Sequence, residues 1–363
     1  MTSDFWNNKR VLVTGHTGFD GAWLCLWLRQ MGAVVSGLSP KGKDVPNLWT
    51  LLGLDDVHNY VGDVSETMTV EDVLARENPE IIFHLAGVKR QTSMQPVEHF
   101  RTTAIGPVVL LDAITRAPSV RACVVVSSDR SLQTGLMNRD AVEYATDPFA
   151  VSLAASEAAV VAMRQTHFSS PEPGLHTCAI AIARAGNIIG GGDWTEGRLV
   201  PDIVRGCFGE DQSVLIKAPS SARSWQHVLD PLRGYLMLAE HLVSTSQDDS
   251  HGWDFFPKRD SDVTALAVAD AMIASLGCGY VEFDSQEQGH SATKIDDPNL
   301  EKSFQLGWAP RLDFAQAVEL TGAWYKGWQA GQPALDLCVG QLADFVARCE
   351  EQRREIDLVS APG

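Results

Sequence analysis

Lys9-Arg10-Val11-Leu12-Val13-Thr14-Gly15-His16-Thr17-Gly18-Phe19-Asp20-Gly21 is the stretch on which the reading of this chain turns. The apolar run from Lys9 to Val13 ends in Thr14-Gly15. Behind the loop, Ala22 to Met31 has the length and spacing of a helix, with Gly32 to stop it. A second apolar run, Ala33 to Gly37, follows at once. Strand, short helix and strand imply a parallel pair with a right-handed crossover. Glycine occupies the first, fourth and seventh places of the loop, at Gly15, Gly18 and Gly21. There the backbone turns tightly and can approach a pyrophosphate at a helix N-terminus. These three glycines are candidate cofactor-binding residues. Asp20 departs from that chemistry, because a carboxylate in the loop repels the anion that the helix end attracts. Either it points into solvent, or the loop no longer holds a dinucleotide as such, or a divalent metal sits between the two anions with Asp20 as its ligand.

The pattern recurs outward from this loop. Glu80 to Leu85, Cys123 to Ser127 and Cys178 to Arg184 read as buried strands. Val70 to Arg76, Val108 to Ile114 and Ser152 to Met163 read as the helices between them. Apolar strands that alternate with helices mean a parallel sheet covered on both faces. The fold class expected is α/β, a Rossmann-type doubly wound parallel sheet with a smaller mixed α/β lobe. From about residue 190 the alternation breaks: Gly190 to Trp194 is a loop, Val200 to Phe208 a helix and Val214 to Lys217 a strand. Helical patterns follow over Asp230 to Leu242, Val263 to Leu276 and Phe314 to Gly327. The division expected is 1–188 for the Rossmann-type domain, to which about 225–260 returns, 189–335 for the lobe, and 336–363 for a C-terminal helix and tail. That last helix, Leu335 to Arg354, is amphipathic and serves either as core cover or as an oligomer contact.

Composition excludes several classes of partner. The chain has 363 residues, 29 Lys+Arg against 46 Asp+Glu, and a formal charge of −17. Such a balance argues against nucleic acid and against an anionic membrane. No apolar run approaches the roughly 20 residues that span a bilayer, and the start MTSDFWNNKR lacks a signal peptide's apolar stretch. Seven cysteines stand singly with no Cys-x-x-Cys, which fits reduced thiols and a cytoplasmic location.

The stretch FWNNKRVLVTGHTGFDGAWLCLWL resembles the start of the CDP-glucose 4,6-dehydratases, within the extended short-chain dehydrogenase/reductase superfamily of nucleotide-sugar enzymes. GDV (Gly62 to Val64), HLAG (His84 to Gly87), SSDR (Ser127 to Arg130), RAGNIIGGGDW (Arg184 to Trp194), RLVPDI (Arg198 to Ile203), WQHVLDPLRGYL (Trp225 to Leu236) and LGWAPR (Leu306 to Arg311) resemble that family's blocks in the same order. The resemblance implies the sheet, a lobe that binds a nucleotide-diphosphate sugar, NAD(P), a cofactor-side role for Asp63, and a homodimer through the helices near 108 and 155.

It also implies a Tyr and a Lys four residues apart on one helix, where the phenolate takes the sugar's proton as hydride leaves. Here those positions are Phe149 and Leu153, which can neither give nor take a proton. Tyr144 lies earlier in the same block with only Pro148 at its +4 position. Thr103, Pro107, Val88, the loop Ser39-Pro40-Lys41, Asp254 and Phe256 are further departures. They gather on the nicotinamide side and speak against NAD(P) as a working cofactor. Asp129 keeps the position of the dehydratases' general acid, with Ser128 and Arg130 beside it. Arg184, Asn187, Arg198, Arg223 and His227 keep places on the sugar-nucleotide side.

The expectation is a nucleotide-sugar isomerase of non-redox type, for example a pyranose–furanose mutase. Asp129 would carry the proton, His227 would be a second acid/base, and Arg130 or Arg184 would steady the diphosphate. The alternatives are an NAD-dependent dehydratase or epimerase with an atypical catalytic set, and a non-catalytic nucleotide-sugar-binding protein.

Overall fold

A computed structural model describes residues 3–42, 46–87, 95–134, 148–168, 178–245, 252–257, 262–283 and 300–360. The first half runs α1 (Ser3–Trp6), β1 (Arg10–Thr14), α2 (Phe19–Gln30), β2 (Val34–Ser39), α3 (Leu48–Leu52), β3 (His58–Val61), α4 (Thr67–Glu77) and β4 (Ile81–His84). Then come α5 (Pro96–Phe100), α6 (Gly106–Ile114), β5 (Ala122–Ser128), α7 (Pro148–His167), β6 (Ala179–Ala185), β7 (Asn187–Ile189), α8 (Leu199–Phe208), β8 (Ser213–Ile216) and β9 (Ala222–His227). The chain ends with α9 (Leu229–Thr245), β10 (Trp253–Phe255), β11 (Asp262–Thr264), α10 (Ala265–Leu276), β12 (Tyr280–Phe283), α11 (Leu300–Gln305), α12 (Phe314–Gln329) and α13 (Ala334–Ser360).

Seven strands make one parallel sheet in the order β10-β6-β5-β4-β1-β2-β3. The expected Rossmann-type sheet is therefore present. Strand residues alternate between its faces. Val11, Val13, Ile81, Phe83 and Val124 enter one apolar cluster, while Leu12, Ile82, Cys123, Val125 and Ile180 enter the other. Each face buries its own layer of helices, so the inner strands β1, β4, β5 and β6 are buried along nearly their whole length, while the edge strand β3 is polar and mostly exposed. Order reverses at β1: the chain moves from it to β2 and β3 on one side and to β4, β5 and β6 on the other. Open α/β sheets bind ligands beyond the strand ends at such a reversal.

Beyond the main sheet lie two small ones, β11-β9-β7 and β12-β8. Val263, read above as the start of a helix, belongs to β11 and pairs with Arg223 of β9; the helix begins at Ala265, capped by the Thr264 side chain. α13 covers core: Phe345 meets Trp27 edge-on at 5.8 Å, and the Trp324 Nε1–H donates to Cys338 Sγ at 3.3 Å. Among the described residues no helix is long and apolar enough to cross a membrane.

Candidate active site

Two cavities open at the strand ends, each with a volume of about 430–440 Å³. The first collects the ends of β1 to β4: Gly15, Thr17 and Gly18 after β1, Ser39 to Gly42 after β2, Asp63 after β3, and Leu85 to Gly87 after β4. The second collects Val126 to Arg130, at and just past the end of β5, and Ala185 to Gly190, from the end of β6 through β7, closed by α8 and by Arg223 of β9. Asp20 and Asp193 line both.

The first cavity is made largely by backbone. Gly15 has φ +76°, and a Cβ there would lie 2.9 Å from the Ala86 nitrogen. At Gly21 a Cβ would run into the Gly15 carbonyl oxygen. Only glycine lets the loop fold onto the start of α2 in this way. Gly18 caps α2 without a side-chain hydrogen bond, which leaves the first-turn N–H groups for an anion. His16 points inward instead. Its Nε2 lies 2.9 Å from Asn59 Oδ1, and burial pushes its pKa down to about 4. Its ring fills the space above Gly37, so β2 carries glycine there. Thr17 and Ser39 share a hydrogen bond of 2.7 Å, and Asp63 accepts from the Ser65 N–H at 2.8 Å. A cradle that any Cβ would fill suits a diphosphate, so these residues fit the adenosine-diphosphate half of a dinucleotide.

The second cavity is made by side chains. Asp129 is 3% exposed at the end of β5. Ser128 Oγ donates to its Oδ1 at 2.7 Å, and Arg223 stands 4.0 Å from its Oδ2. Ser128, Arg130, Asn187, Arg198 and Arg223 line the same space, so the structure brings together most of the residues singled out on the sugar side. Arg198 is held by Asp193 at 2.7 Å and donates to the Ile188 carbonyl at 2.9 Å. Phe149 forms part of the wall, almost fully buried, whereas Leu153 is buried and lines neither cavity. Tyr144 and Val88 lie outside the described residues.

Two residues singled out in the sequence sit elsewhere. Arg184 is bound by Glu157 at 2.6 Å and by Asp254 at 3.1 Å, and it lines neither cavity. Glu157 also accepts from Ser131 at 2.6 Å, and Ser131 donates to the Ser128 carbonyl at 2.8 Å. The Arg184–Glu157 pair thus braces the turn that presents Asp129. His227 is fully buried and lines neither cavity. The Leu229 N–H donates to its Nδ1 at 3.4 Å, and burial pushes its pKa down to about 3. It is neutral through the physiological range.

Sequence reasoning passed over Glu157 and Tyr235. Glu157 lies two helical turns after Phe149 on the same face of α7, a spacing that was available. Tyr235 reads as core from sequence and carried no signal. Among the described residues no three His, Cys, Asp or Glu side chains are grouped to hold a metal ion.

Fold, glycine cradle and carboxylate–guanidinium cavity define a class. Residues 11–250 match the NAD dependent epimerase/dehydratase family, and the chain belongs to that family. Among its relatives is the CDP-glucose 4,6-dehydratase of Salmonella typhimurium, 33% identical over 357 residues, with 96% of this chain and 99% of the relative covered. Solved structures of similar fold include a UDP-glucose-4-epimerase from Stenotrophomonas maltophila with bound NAD and formylated UDP-arabinopyranose. Its TM-score is 0.73 at 18% identity, over 89% of this chain and all of that one. A dTDP-glucose 4,6-dehydratase from Bacillus anthracis in complex with NAD gives 0.68 at 18% identity, over 90% and 99%.

Proposed function

We propose that this chain converts a nucleotide-diphosphate sugar into an isomer without net hydride transfer, pyranose–furanose interconversion being the concrete form. Phe149 carries the reading. It forms the cavity wall at the helix position where the redox enzymes that the chain resembles have a Tyr, and the residue one turn on is the buried Leu153. Neither side chain can exchange a proton.

What the cavity offers instead is a carboxylate among guanidinium groups. In ring interconversion the C1–O5 bond breaks and the C1–O4 bond forms, while one proton passes from O4 to O5 and nothing is oxidised. Asp129, aligned by Ser128, would carry that proton. Arg198 and Arg223 would hold the diphosphate by charge-assisted hydrogen bonds, with Arg130 beside them. NAD bound in the glycine cradle would supply a hydride acceptor, with Gly15, Thr17, Gly18 and Asp63 around its adenosine-diphosphate half. The intact cradle favours a second reading, an NAD-dependent dehydratase or epimerase with a different proton carrier. The resemblance supports a homodimer through α6 and α7, and the seven singly placed cysteines support a cytoplasmic location.

Incubation with CDP-, dTDP- and UDP-glucose without added NAD tests the reading. The expected result is a product of unchanged mass and altered ring form. Loss of water from the sugar, or conversion only when NAD is added, would overturn it.

A further inference from the structure

Two polar groups in the second cavity have no part in the scheme above. Asp20 stands in the first turn of α2 and Tyr235 in the middle of α9, and these helices pack against each other. Asp20 Oδ1 is buried without a hydrogen-bond partner, and so is the hydroxyl of Tyr235, a residue only 1% exposed. Both residues line the cavity that Asp129 lines. Burial, with the charge of Asp20 added, holds the Tyr235 phenol well above its usual pKa, so it remains an O–H donor. A buried polar group left unpaired costs about 1–3 kcal/mol. Two such groups in one wall mark a place that something else completes.

Their capacities define the missing partner. An ionised carboxylate only accepts, whereas a phenol donates. A hydroxyl answers both, that of a water or of a ligand's alcohol, giving a proton to Asp20 and accepting from Tyr235. A phosphate has no proton to give at neutral pH and is repelled by Asp20. A carbonyl oxygen has none either.

We propose that Asp20 and Tyr235 form a hydroxyl-recognition site, which holds one hydroxyl of the sugar ring at the start of α2. The site rests on the nucleotide-sugar reading and adds selectivity to it: sugars with a hydroxyl at that ring position are bound and the corresponding deoxy sugars are rejected. Asp20 then faces the sugar and not the diphosphate, which resolves the conflict posed by an acid in the glycine loop.

Calorimetric titration of wild type, Tyr235→Phe and Asp20→Ala with CDP, dTDP and UDP, and with the glucose conjugate of each, tests the site. In both variants the Kd of the nucleoside diphosphate should be unchanged and that of the sugar conjugate should rise about 10-fold. Tyr235→Phe should melt, without ligand, at or above the wild-type temperature, because the hydroxyl it removes has no partner. A lower melting temperature with an unchanged sugar Kd would overturn the site, since the hydroxyl would then be structural. A wild type that binds the diphosphate and its sugar conjugate equally would overturn the site alone. A wild type that binds neither would overturn the nucleotide-sugar reading, and the site with it.

Discussion

The two cavities meet at Asp20 and are built by different means. On the β1–β4 side the walls that matter are backbone: glycines with no room for a Cβ and helix N–H groups left uncapped. On the β5–β6 side they are side chains: Asp129 between Ser128 and Arg223, and Arg198 on Asp193. A backbone site depends on a few glycines and survives changes of chemistry around it. A side-chain site changes with each substitution, and Phe149 lies in its wall. Nucleotide cradle and reaction chemistry are therefore separable in this fold.

The separation can be broken at either end. Asp129→Asn keeps the shape of the side chain but removes the proposed proton carrier. Turnover should fall about 10²–10⁴-fold with the Kd for the nucleotide sugar little changed, read from kcat beside a titration. Unchanged kcat would remove Asp129 from the chemistry. Gly21→Ala attacks the other cavity. Its Cβ would meet the Gly15 carbonyl, so the loop must shift, and dinucleotide affinity should drop by about 100-fold, on the order of 2–3 kcal/mol. Turnover measured without NAD should fall far less; an equal loss would tie the two cavities together.

Acid should weaken both sides. His16, His84 and His227 are held neutral by burial, with pKa values of about 4, 4 and 3, against an unfolded value near 6.5. The unfolded chain binds these protons first, so stability is lost as pH falls below about 6.5, each histidine contributing on the order of 2 kcal/mol between pH 7 and 5. Asp230, pushed up to about 7 by burial, acts in the opposite sense and offsets about one of them. Glu240, also raised by burial, offsets part of another. The melting temperature should therefore be lower at pH 5 than at pH 7. Equal midpoints would mean that the histidines find partners or water.

What could be read without coordinates follows the same division. The apolar runs and the glycine loop were legible, because periodicity and backbone constraint are local. β3 was not, since its His-Asn-Tyr-Val is a polar edge strand, mostly exposed. β10, three residues long, takes its place only by pairing with β6. Of the residues lining the second cavity, Asp129, Arg198 and Arg223 stand out in the sequence through ordered motifs. Arg184 looked equally like a ligand contact, but its fate was decided by Glu157 and Asp254, which are distant in sequence. His227 looked reactive and is packed away. Tyr235 looked inert, because an unpaired buried hydroxyl is a property of the packed structure alone.

The proposed ring interconversion requires proton transfer in this cavity and no hydride transfer. Rapid mixing of NAD-saturated protein with the nucleotide sugar that it converts, followed at the absorbance band of reduced nicotinamide through a single turnover, tests this most directly. A flat trace is expected while the isomer forms. A transient that rises and decays at the rate of product formation would contradict it.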